Sequence, residues 1–142
     1  MDSPQYLLEK QLEDSGVEIY ESNAQFIRIA ERHRVQIMDS LIMVSSKNSG
    51  FCVEIRCRIS ELDFRGIDDA RAKTILENAS ASFLSLGYIS QGLSTSTVPD
   101  PVGERTLDKI WDMVLHKVCT SPKEVVSEIK AALATERYVK PD

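Results

Sequence analysis

Phe51–Ser60 reads FCVEIRCRIS, with Phe51, Val53, Ile55, Cys57 and Ile59 alternating with Cys52, Glu54, Arg56, Arg58 and Ser60. Successive side chains of a strand point to opposite faces, so the first set shares one face and the second set the other. On a helix the same apolar residues would be scattered round the axis. The stretch therefore predicts a strand with one buried and one wet face, and burial on one side points to an antiparallel sheet covered by helices.

The flanking segments supply that strand with partners. Lys47-Asn48-Ser49-Gly50 is a polar cluster with glycine, suited to a hairpin loop between Leu41–Ser46 and Phe51–Ser60. Farther upstream, Phe26, Ala30, His33, Ile37 and Leu41 would form a helical stripe, which leaves residues 24–44 open to a helix. The aromatic and β-branched content of the same interval (Phe26, Ile27, Ile29, Val35, Ile37, Ile42, Val44) favours strands. A meander of three or four strands follows from this choice, preceded by a strand at Val17–Tyr20 and a short amphipathic helix over residues 4–14 that Gly16 ends.

Downstream, Asp68 and Asp69 open a long helix whose stripe runs Ala72, Ile75, Leu76, Ala79, Phe83, Leu86 and closes at Gly87. Tyr88–Val98, YISQGLSTSTV, suits an exposed edge strand or hairpin. Leu107, Ile110, Trp111, Val114, Leu115 and Val118 recur at helical spacing. Ser121-Pro122-Lys123-Glu124 then restarts a helix with a capping serine, a proline in the first turn and a glutamate three residues on. The expectation is a single α+β domain over residues 1–142: an antiparallel meander sheet packed by helices, with a C-terminal helical pair at about 105–137.

Composition narrows the function. The 142 residues are 42% hydrophobic and 27% charged, as in a folded globular chain. The net charge is −5, and residues 1–22 hold one lysine against six acids, so no broad basic surface is available to neutralise phosphates. Nucleic acid is excluded as a partner on that ground. No apolar run is long enough to span a membrane, and the start has no secretory pattern. Three cysteines do not make a disulfide framework, and a cytoplasmic setting is expected.

Few residues suggest chemistry. Cys52 and Cys57 fall on opposite faces of the strand and cannot share a bond or a metal. Asp108, Asp112 and His116, spaced by four, would stand in a row along a helix, where they would bind a divalent ion, tune the imidazole, or simply form a solvated face. No zinc pattern, phosphate loop or nucleophile elbow is present, and no cofactor or metal is implied. Arg56 and Arg58 leave one face of the strand, and Arg28, Arg32 or Arg34 would join them if the neighbouring strands pair in order, while His33 in Glu31-Arg32-His33-Arg34 reads as a charged strand end or turn rather than as a catalytic base. Guanidinium forks there would suit a carboxylate or phosphate, unless Glu54, Glu31 or the acidic N-terminal helix pairs with them.

With LLEKQLEDSGVEIY as opening helix and strand, FCVEIRCRIS as third strand and TILENAS in the middle helix, the chain resembles the type III secretion chaperones and the related YbjN-like proteins. The resemblance lies in element order over most of the chain. It implies a dimeric, non-catalytic protein that binds an extended segment of another protein. The leading expectation is thus a binding module that masks or escorts a partner protein, chaperone-like or immunity-like, using a sheet edge or a helix face, with Tyr88, Ser90, Leu93 and Thr95 as one candidate edge. In the immunity-like form, the acidic N-terminal segment would cover a basic partner. The alternative is an enzyme or sensor for a small anion built on Arg56, Arg58 and His33.

Overall fold

The computed structural model describes residues 4–33, 36–38, 41–48, 50–103 and 106–141, without the side chains of residues 4, 32–33 and 36–38. In chain order the elements are α1 (Pro4–Asp14), β1 (Ile19–Ser22), β2 (Phe26–Ile29), β3 (Glu31–His33), β4 (Gln36–Met38), β5 (Ile42–Lys47), β6 (Gly50–Ser60), α2 (Asp69–Ser85), β7 (Ile89–Pro99), β8 (Thr106–Cys119) and α3 (Pro122–Leu133). The fold is α+β. Its main sheet is antiparallel and six-stranded, in the order β1-β2-β5-β6-β8-β7, while β3 and β4 form a separate two-stranded ribbon.

β6 has the alternation its sequence predicts: Val53, Ile55, Cys57 and Ile59 are fully buried on one face. Cys52, Glu54, Arg56 and Arg58 on the other face are half-buried rather than wet, because polar side chains of β8 lie over several of them. β5 pairs with β6 from Ile42↔Ile55 to Lys47↔Gly50. Asn48, just after β5, is left-handed at φ 54°. Gly50 answers a different demand, since a Cβ there would lie 2.6 Å from the Cys119 carbonyl oxygen.

The region 106–119 departs from expectation. It is strand β8, so the C-terminal helical pair reduces to the single helix α3. The five consecutive residues Trp111–Leu115 are all buried, which is the signature of an inner strand covered on both faces. Such a run carries no period of two and can match helical spacing by coincidence.

Two compact units divide the chain: Met1–Ile55 with His116–Glu136, and Arg56–Leu115 with Arg137–Asp142. In the first, α1 packs on α3, and Leu8, Leu12, Ile27, Val44, Val125 and Ile129 are among its buried side chains. Each such aliphatic group contributes roughly 1.5–3 kcal/mol on burial. Gly16 ends α1 as expected, with Val17 N–H donating to the Leu12 carbonyl at 3.0 Å. The Ser121 hydroxyl accepts from Glu124 N–H and starts α3, while the Glu124 carboxylate reaches back to Thr120 N–H at 3.1 Å.

In the second unit, Asp68 caps α2 by accepting from Arg71 N–H, and Ala72, Leu76, Ser80 and Phe83 face inward. At its far end Tyr88 N–H donates to the Phe83 carbonyl, and the two rings meet edge to face at 5.7 Å. Asp69 accepts from Lys109 Nζ at 2.9 Å and from Trp111 Nε1 at 2.8 Å, which ties the first turn of α2 to β8. The C-terminal segment returns to β6: Arg58 N–H donates to the Arg137 carbonyl and Val139 N–H to the Arg58 carbonyl, both at 2.8 Å. This parallel bridge lies beyond Ile55, where pairing with β5 has ended.

Candidate functional site

Arg56 and Arg58 do converge, on a residue of the chain itself. Arg58 donates through Nε and Nη2 to the two carboxylate oxygens of Asp112, at 2.7 and 2.9 Å, and Arg56 Nη1 donates to Oδ2 at 3.1 Å. Asp112 is buried, and Arg58 is only 11% exposed. A bidentate carboxylate is the geometry a guanidinium fork is shaped for, so the fork of Arg58 is filled from within. Glu54, one of the acids expected to pair with these arginines, stands 3.1 Å from His116 Nε2. His33 lies on β3, and its side chain falls outside the described residues.

The row Asp108, Asp112, His116 shares a face, as its spacing requires, but on a strand. Positions four apart on a strand are separated by roughly 13 Å, against the single turn of a helix, so the three side chains cannot share one ion. Each meets a different group: Asp108 accepts from the Ser60 hydroxyl at 2.7 Å, Asp112 takes the arginines, and His116 faces Glu54. Among the described residues no group of three or more His, Cys, Asp or Glu side chains is arranged to hold a metal.

The cysteines are free thiols. Burial pushes the Cys57 thiol up from its ordinary value, and the same cause, reinforced by Glu124 and Glu128, takes Cys119 to about 11. Cys119 ends β8 and not a helix.

β7 forms one edge of the main sheet. Along its eleven residues only Leu93 is half-buried and the rest are exposed, and none is charged. Of the residues expected to meet a partner, Ser90 and Thr95 are exposed and Leu93 is partly so. Tyr88 is the correction: it is 3% exposed, because it packs on Phe83 to close α2 instead of facing solvent. At Gly92 the chain turns through φ 97°, a conformation that side chains with a Cβ rarely adopt, and Gly92 N–H donates to Ser90 Oγ.

Between α2 and β7 runs a groove of about 670 Å³. Leu84, Leu93 and Met113 are its apolar walls, Ser80 lies in its floor, and Lys73 and Glu77 stand along the α2 side. The Ser80 hydroxyl is buried beside the Cys57 thiol. Ser80 had a readable signal, being the one polar residue on the inward stripe Ala72, Leu76, Ser80, Phe83. Met113 had none, because β8 reads as a helix.

No helix among the described residues is long and apolar enough to cross a membrane. Comparison of the chain with protein-family models, curated proteins and solved structures finds no significant match.

Proposed function

We propose that the protein is a non-catalytic binding module that masks or escorts another protein by accepting an extended segment of it along β7. The observation that supports this most is the edge itself. Edge strands offer unpaired N–H and C=O groups to any passing strand, and folded proteins usually blunt them with lysine, proline or brevity. β7 is eleven residues long, exposed and uncharged, with proline only at its last position. Main-chain pairing would supply affinity, and the side chains beside the edge would supply selectivity.

The kinship with secretion chaperones belongs to this proposal, as do a cytoplasmic setting and a homodimeric assembly. The arginine alternative is the weaker reading, since the carboxylate it would bind is already furnished by Asp112.

The test is amide hydrogen exchange on the full chain alone and in complex with a protein recovered by pull-down from its host. Slowed exchange centred on residues 93–98 is the expected result. A complex that leaves those amides unchanged would sink the proposal, as would a failure of Thr95→Lys, Thr97→Lys to weaken capture.

A further inference from the structure

We propose that β7 of one copy pairs antiparallel with β7 of a second copy through residues 93–98, so that the free protein is a dimer with its capture edge closed. The consequence for function rests on the strand-capture reading, to which the self-pair adds a control.

The run available for pairing has defined ends. Gly92 is left-handed and gives its N–H to Ser90 Oγ, which breaks the regular strand on one side, and Pro99 has no N–H to offer on the other. Between them lie Leu93-Ser94-Thr95-Ser96-Thr97-Val98, all exposed except the half-buried Leu93. Both faces of the run are open because α2 lies over the inner strands: its Ala79 carbonyl meets the Cys57 thiol of β6, and its Asp69 carboxylate meets Trp111 of β8. The helix therefore does not stand in the way of a second sheet.

Self-pairing sets a condition that few strands meet. A twofold axis between antiparallel edges puts each residue near the axis opposite its own copy or a close neighbour, so a lysine or glutamate there meets its like. β7 carries no charge. Its side chains from Ser94 to Thr97 are all hydroxyls, and a hydroxyl both donates and accepts, so identical residues can hydrogen-bond to one another. Centred on Thr95, the pairing sets Thr95 against Thr95, Ser94 against Ser96, and Leu93 against Thr97 with its methyl group. β1, at the other edge, fails the same condition, being four residues long and holding Glu21. A self-paired β7 has no main-chain groups left to offer. A partner segment must then displace the second copy, and its apparent affinity should fall as the chain concentration rises.

Thr95→Lys and Thr95→Glu, alone and mixed, test this by sedimentation and amide hydrogen exchange on the full chain. Thr95 is exposed, so both variants should keep the parent's fold. The parent should sediment as a reversible dimer, with the amides of residues 93–98 exchanging more slowly as concentration rises. Each variant places like charges across the axis and should weaken the dimer about tenfold. An equal mixture of the two should regain it, because lysine then faces glutamate. A parent that stays monomeric, a dimer indifferent to either variant, or a mixture no tighter than its components would overturn the proposal. A monomeric parent that captures a partner through the same amides would overturn it and leave strand capture standing. A dimer that meets each expectation while no partner is recovered from the host would uphold the self-pair and sink capture.

Discussion

Asp112 meets two guanidinium groups, and the consequence of removing it depends on what they would then face. Arg58 is nearly buried, so Asp112→Ala takes away the carboxylate to which both its Nε and Nη2 donate, and breaking a buried pair of this kind typically costs about 3 kcal/mol or more. Urea unfolding should show that loss, while Arg56→Ala, at a site 29% exposed, should lose distinctly less. Asp69 makes a prediction in pH. Hydrogen bonds from Lys109 and Trp111 hold its carboxyl below the ordinary value of 3.8. A carboxyl depressed in the folded state contributes fully above its unfolded pKa and loses that contribution as pH falls through the folded one. The stability gap between the parent and Asp69→Asn should therefore be widest near neutrality and close in acid below 3.8, followed by urea midpoints across that range. Neither pairing could be read from the sequence, because the partners are far apart along it: Arg58 and Asp112 are separated by 54 residues and Asp69 and Trp111 by 42.

Elements whose two faces differ in wetness announced themselves, and those covered on both faces did not. β6 shows its buried face in every second residue, and α3 shows its start in Ser121-Pro122, because each pattern reflects a single local cause. β8 lacked that contrast. Residues 107, 110, 111, 114, 115 and 118 satisfy helical spacing, yet the segment lies between β6 and β7, where burial on both sides removes the alternation. The spacing of Asp108, Asp112 and His116 survived the error, since positions four apart share a face on either element. The candidate edge was recognisable from its Ser/Thr composition, but the groove beside it was not, because it needs Met113 on a strand. The β5–β6 turn offers a test at this scale. Gly50→Ala forces a methyl against the Cys119 carbonyl, and overpacking of this kind costs about 1–3 kcal/mol. Thermal melting should show the loss, whereas Asn48→Gly, which eases a left-handed residue, should leave stability equal or higher.

At the scale of the whole molecule, the ends of the main sheet are unequal. β1 is four residues long and contains Glu21, whereas β7 is eleven residues long and uncharged. Shortness and charge are what discourage unwanted pairing between edges. Self-association at high concentration should therefore proceed through β7, and Thr95→Lys should suppress it in light scattering. Its effect on folding stability should stay within about 0.5 kcal/mol, as for most surface changes.

The return of residues 137–139 to Arg58 bears on how this polypeptide can be handled. Any truncation made just after α3, where a helix end invites the cut, would strip the main-chain partners from a middle strand and delete the fully buried Arg137. Affinity handles and fluorescent fusions appended at that side are safest when spaced away from Val139, so that they do not pull the returning segment off its seat.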